Sequence, residues 1–163
     1  MSEIGDAIQE KCLAFGDRII KLNDYLLEQE SKKEDERCRM MYDGRSKMYD
    51  VKGGDPEHHT SNLKHQTSRV PIYLKSVATL ANQLLRSGTS VGANNAEATS
   101  AISKADFKSK SYIALKEARE SLYWLNLLHR NKYLDDKQYN SLYTDCDELV
   151  KVLTHRCKKL DEK

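Results

Sequence analysis

Residues 84–98 read LLRSGTSVGANNAEA. Two glycines, two asparagines and three hydroxyl residues suggest a loop, even one that cradles a phosphate. A phosphate loop needs a strand before it and a Lys after its second glycine, and neither is present. The flanking residues favour a helix. Val77, Ala81, Leu84, Gly88, Val91, Asn95 and Ala98 step 4, 3, 4, 3, 4, 3, the inward stripe of a packed helix. Gly88, Gly92 and Ala96 lie four apart on one face, where small side chains let another backbone come close. A glycine inside a helix costs about 1 kcal/mol relative to Ala, so close packing must offset it. A ligand-binding kink is the alternative.

The same spacing recurs on both sides of this stretch. Ile8, Cys12, Phe15, Ile19, Leu22 and Leu26 form one stripe, in a helix expected to start near Asp6 with a capping box to Gln9 and to reach about residue 41. A third helix carries Phe107, Ser111, Ala114, Ala118, Ser121, Leu125 and Leu128, opened by Ser103-x-x-Asp106 and closed by Asn131. A fourth carries Tyr139, Leu142, Cys146, Leu149, Leu153 and Leu160, opened by Asp135-x-x-Gln138. Pro71 suits the first turn of the second helix. The four stripes predict an all-α, antiparallel up-down four-helix bundle, one domain over 1–163, with helices of about 25 to 35 residues.

A long insertion is expected between the first and second helices, about 42–69. It contains a DG pair that suits a short hairpin around Asp43-Gly44, a GG pair and a DP pair. His58, His59 and His65 lie in it, but no Cys or carboxylate joins them at a metal-ligand spacing. Over 31–75 ten Lys or Arg stand against seven Asp or Glu, a mild basic bias.

Of 163 residues, 39 % are apolar and 32 % charged, and 27 basic against 25 acidic residues leave a net charge of +2. So even a balance does not by itself predict nucleic-acid binding. The charged N-terminus is no secretion signal. No run approaches the roughly 18 apolar residues of a membrane span. Three of four cysteines, Cys12, Cys146 and Cys157, fall on apolar stripes as small hydrophobes, and no CxxC pair occurs. A reduced, cytoplasmic protein with no cofactor and no metal is expected.

Two polar features bear on function. If the second and third helices form a hairpin turning near residue 102, Arg86 falls level with Ala118, between Glu117 and Glu120. Glu97 then falls level with Phe107, between Lys104 and Lys110. An inter-helix network of Arg86, Glu97, Glu117 and Glu120 is expected. It reads as a structural ion pair that fixes register, or as a polar pocket. Acid–base or metal chemistry has little to stand on, because the Glu-x-x-His pairs of di-metal bundles are missing. The other feature is the line Tyr112, Lys116, Arg119, Tyr123, Leu127 and Arg130, set about 100° from the third helix's stripe, so that the core does not need it. Tyr and Arg suit a subunit interface, and also base stacking with phosphate pairing; an ordinary solvated face is the plain reading. The basic tail KVLTHRCKK suits a helix C-terminus.

The motifs RSGTS (86–90), Ala93-Asn94, Glu97-Ala98, SKADF (103–107), KEARE (116–120) and YWL (123–125) resemble the bacterial four-helix bundle family of proteins encoded in intervening sequences of large-subunit ribosomal RNA genes. The resemblance covers the first helix through Leu22 and nearly all of 83–153. It implies a cytoplasmic bundle that assembles into a ring, often a pentamer. It also extends to relatives that serve as accessory proteins to retroelement reverse transcriptases, with a basic ring surface that engages nucleic acid. The long insertion and the near-neutral charge depart from that pattern. Together these observations predict a non-enzymatic homo-oligomeric adaptor that binds RNA, DNA or a ribonucleoprotein; the alternative is a protein-interaction scaffold that binds no nucleic acid.

Overall fold

The computed structural model describes residues 3–50 and 72–162, with side chains over 5–41 and 76–162. These residues form four helices, α1 (Glu3–Asp50), α2 (Ile72–Thr99), α3 (Lys104–Arg130) and α4 (Asp136–Asp161), with no strand among them. α1 packs on α2, α2 on α3, α3 on α4, and α4 returns to α1, while α1 and α3 face each other diagonally without close backbone approach. Cross-links between neighbours all run antiparallel. Gln9 meets Asn95 between α1 and α2, Ser121 meets Ser87 between α2 and α3, Tyr139 meets Asn126 between α3 and α4, and Lys11 meets Glu148 between α1 and α4.

The stripes form the core as their spacing requires. All six inward residues of α1 are buried, as are Val77, Ala81, Leu84, Val91 and Ala98 of α2, and Cys12, Cys146 and Cys157 pack as apolar groups. Phe107 and Tyr139, at the edges of their stripes, are half-buried. α3 is capped by Ser103, whose hydroxyl accepts from Asp106 N at 3.1 Å, while the Asp106 carboxylate accepts from Ile102 N at 3.2 Å. α4 opens with a full capping box between Asp135 and Gln138. α3 ends at Asn131, and Lys132 then turns left-handed at φ 61°. Tyr133 N bonds Leu128 O and Lys132 N bonds His129 O, the paired bonds of a Schellman turn.

Two boundary expectations are corrected. α1 already begins at Glu3, so Asp6 and Gln9 do not form a cap; Gln9 reaches α2 instead. α1 also runs through Asp43 and Gly44 to Asp50, where a hairpin was expected. Extending a formed helix adds one bond per residue fixed, while a new hairpin must nucleate. The single cost of Gly44, about 1 kcal/mol, does not stop it among the good helix formers Met40, Met41, Arg45 and Lys47. The insertion between α1 and α2 therefore starts beyond Asp50. Its remainder, with His58, His59, His65 and Pro71, lies outside the described residues. From Ser31 to Met41 every side chain but that of Glu34 is exposed. With 48 residues, α1 is about 72 Å long, against about 40 Å for each of the others, so it continues past the bundle.

Candidate interaction surface

The small-residue face of α2 does bring a backbone close. A methyl group at Gly88 would sit 3.0 Å from Ile19 Cγ1 and 3.2 Å from Ile19 Cγ2, and one at Gly92 would sit 3.4 Å from Cys12 Cβ. The neighbour is α1. Ala96 does not take part: it is exposed, and Asn95 holds the inward position of that turn. The face is thus two glycines long.

The expected network of Arg86, Glu97, Glu117 and Glu120 does not assemble. Glu97 pairs with Lys110, as its level suggested. Glu117 lies 3.7 Å from Lys116, and Glu120 accepts from Trp124 Nε1 at 3.1 Å. Arg86 is exposed and bonded to neither glutamate. The hairpin register explains this. Ser121 Oγ donates to Ser87 Oγ at 2.9 Å, so Ser87 faces Ser121 and not Glu117. α3 is offset by one turn from a hairpin centred at residue 102, which carries Glu117 away from Arg86. The carboxylates do not converge on one pocket, so nothing here resembles a paired acid and base.

A different polar cluster occupies the end of the bundle where α1 begins and α4 ends. Asn95 is fully buried; its Nδ2 donates to Gln9 Oε1 at 2.6 Å and its Oδ1 accepts from Arg156 Nη1 at 2.6 Å. The Arg156 guanidinium lies 5.7 Å from the centre of the Phe107 ring. Three helices thus meet at one amide, and α3 joins them through the Phe107 ring beside Arg156. Burial pulls the Arg156 pKa below its ordinary value, since a desolvated cation is disfavoured. Burial pushes the Cys12 thiol up to about 11 and the Cys146 thiol up to about 12, so both stay protonated at neutral pH and are no nucleophiles. The signal for this cluster in the sequence was Asn95 itself, a polar residue on an apolar stripe. Its partner Arg156 was hidden in a tail whose basic charge a helix C-terminus already explains.

The line on α3 faces outward except at Leu127, which is half-buried. Tyr112 is 40 % and Tyr123 56 % exposed, and Lys116, Arg119 and Arg130 are exposed as well. Tyr112 Oη donates to Asp161 Oδ2 at 2.5 Å, and Lys108 reaches the same carboxylate at 2.8 Å. The bond to Asp161 raises the Tyr112 pKa; the bonds from Lys108 and Tyr112 lower that of Asp161. Tyr123 packs edge-on to Trp124 with ring centres 4.9 Å apart. Arg119 and Arg130 have no ion-pair partner among the described residues. The line therefore exposes aromatic rings together with guanidinium groups that no carboxylate among the described residues pairs.

At the opposite end a cleft of about 240 Å³ is lined by Tyr25, Glu30, Lys33, Lys132, Tyr133 and Asp135 among others. Its buried carboxylate, Glu30, is already bound by Lys33 at 2.6 Å. Among the described residues no group of three or more His, Cys, Asp or Glu could hold a metal ion, and no helix is long and apolar enough to cross a membrane.

These features define a four-helix bundle, all-helical among the described residues, with an aromatic and basic line exposed on α3. Residues 65–155 match the family of 23S rRNA-intervening sequence proteins, and the chain belongs to that family. It is also similar to a crystal structure from Bacteroides thetaiotaomicron, described as a protein of unknown function from the S23 ribosomal protein family. The two are 32 % identical with a TM-score of 0.62, over 95 % of this chain and 98 % of the other. No curated protein matches the chain.

Proposed function

We propose that this protein is a non-enzymatic, homo-oligomeric adaptor that works in the cytoplasm at an RNA, DNA or ribonucleoprotein partner. The exposed line of Tyr112, Lys116, Arg119, Tyr123 and Arg130 carries the reading, because it offers stacking and charge outside anything the bundle needs. Membership in a family named for ribosomal RNA intervening sequences supports the RNA setting, and a ring is the assembly the family likeness suggests. The absence of enzymatic work is supported by the scattered carboxylates and by the protonated core thiols. Four unpaired cysteines fit a reducing compartment.

Light scattering on untreated protein, with gel shifts of structured RNA and single-stranded DNA at low and high salt, tests it. The reading expects an oligomer, and complexes that weaken as salt rises. A monomer sinks the assembly part; no shift at low salt sinks the nucleic-acid part. One observation favours a scaffold without nucleic acid: Asp161 and Glu117 sit beside the line and offset its charge. On that second reading the insertion after Asp50 selects the partner. Deleting residues 51–66 then abolishes pull-down of that partner while helicity is retained.

A further inference from the structure

The inward side of α1 ends on a carboxylate. Glu30 follows Leu26 by one turn and is 3 % exposed, while from Ser31 to Met41 all but Glu34 are exposed. The antiparallel contacts of α1 with α4, Lys11 to Glu148 and then Arg18 to Asp145, lead along α1 to Tyr25 and Glu30 and along α4 to its first turn. There the two helices and the α3–α4 turn line the cleft of about 240 Å³. Left-handed Lys132 and the bond from Tyr133 N to Leu128 O fix that turn and bring Tyr133 into the same cleft as Tyr25. No residue of the α3 line is part of its lining.

A carboxylate this buried needs a cation, because its desolvation is costly. Lys33 supplies one, with its Nζ 2.6 Å from Glu30 Oε1. Lys33 is itself 53 % exposed, and a pair three residues apart on one helix offsets little of that cost. A carboxylate has about four acceptor positions, and among the described residues only this one is used. Lys33 thus shows the charge that the site takes, loosely held. A guanidinium fits better than an ammonium. Its planar fork gives a hydrogen bond to each carboxylate oxygen, and its faces stack on aromatic rings. Tyr25 and Tyr133 supply the rings. The volume is below the about 300–1,000 Å³ of pockets for drug-sized ligands, so the cleft takes a group of side-chain size.

We propose that the cleft between α1 and the α3–α4 turn binds a guanidinium group. Glu30 is its counter-ion, Tyr25 and Tyr133 are its stacking surfaces, and Lys33 is the tethered cation that it displaces. Displacement is easy, because the half-exposed Lys33 side chain turns to water. The guanidinium belongs either to a small molecule or to an arginine side chain of a partner, and the recognition chemistry is the same for both. This site does not depend on what covers α3.

Titration calorimetry on the full chain tests this with two probes, agmatine and a short peptide carrying one arginine. Each is run beside a neutral isostere in which a urea group replaces the guanidinium: N-carbamoylputrescine and the citrulline peptide. The wild type should bind a guanidinium probe, and its isostere about tenfold more weakly or less. Binding of agmatine assigns the site to a small molecule, and binding of the peptide alone assigns it to a partner's arginine. Glu30→Gln should weaken binding about tenfold or more, since it removes the counter-ion. Lys33→Met should strengthen binding several-fold, because the competing cation is gone. That substitution is at a half-exposed side chain, so it keeps the test decisive even where Glu30→Gln fails to fold, as circular dichroism would show. No binding of either guanidinium probe overturns the proposal. So does equal binding of probe and isostere, or a Lys33→Met protein that binds no better than the wild type.

Discussion

On its α2 side, α1 meets glycines and a buried amide. Ile19 lies against Gly88, Cys12 against Gly92, and Gln9 against Asn95. On its α4 side it meets charges over water. Lys11 binds Glu148 at 2.6 Å, and Arg18 binds Asp145 and, at 2.8 Å, the Ser141 hydroxyl. The first contact excludes solvent, so every methyl group counts and every polar atom needs a partner. The second is screened, and exposed ion pairs are typically worth about 0–1 kcal/mol each. One helix is thus held by shape on one side and only guided by charge on the other.

The largest break in that contrast is Gly88→Val. Its Cβ would sit 3.0 Å from the side chain of fully buried Ile19, and its methyl groups would press further into α1. Overpacking of this kind costs about 1–3 kcal/mol, and the upper end is expected here, as a fall in Tm and in the urea midpoint. Gly92→Ala is the control on the same face. Its new methyl group meets Cys12 Cβ at an ordinary 3.4 Å. The gain in helix propensity, up to about 1 kcal/mol, should then leave the protein as stable or more so. Equal losses at the two positions would show that the glycines act through something other than the approach of α1.

Next comes Asn95→Ala. It strands the Gln9 amide and the Arg156 guanidinium in a desolvated place, which costs about 2 kcal/mol. Arg156→Met in the same chain should recover much of that loss, because it removes the stranded cation. A double-mutant cycle with no coupling would mean that Arg156 turns to water when Asn95 is gone.

How much of this was readable beforehand follows from the same division. Spacing alone located all four inward stripes, because a packed helix must place an apolar group on its inner face every three or four residues. Both caps that open α3 and α4 were readable for a similar reason: Ser103 and Asp135 act within their own helix turn. Register was not. The offset of α3 against α2 is set by the turn around residues 100–103, where one residue more or less moves every opposed pair. The offset of one turn carries Glu117 away from Arg86 and brings Lys110, rather than Phe107, level with Glu97. Arg156 could not be told from Lys158 and Lys159 by type. Only the three-dimensional position of α4 turns one inward and leaves the other two in the last turn.

The smallest expected effect sharpens the α4 side. The hydrogen bond and charge of Lys11 hold the Glu148 carboxyl below its ordinary value of 4.5, and Glu148 raises Lys11 in turn. A carboxylate whose pKa is depressed on folding stabilises the fold above its unfolded pKa, and that contribution disappears as pH falls through the folded value. Glu148→Gln should therefore lower Tm slightly at neutral pH and low salt. The difference from wild type should shrink as pH falls below 4.5 and through the depressed pKa of the wild-type carboxylate, which is then itself protonated. It should also shrink in about 1 M salt, where the Debye length is about 3 Å. A difference that persists at high salt and low pH would mean that Glu148 packs against α1 in some way other than by its charge. The α4 side would then resemble the α2 side more than its exposed ion pairs suggest.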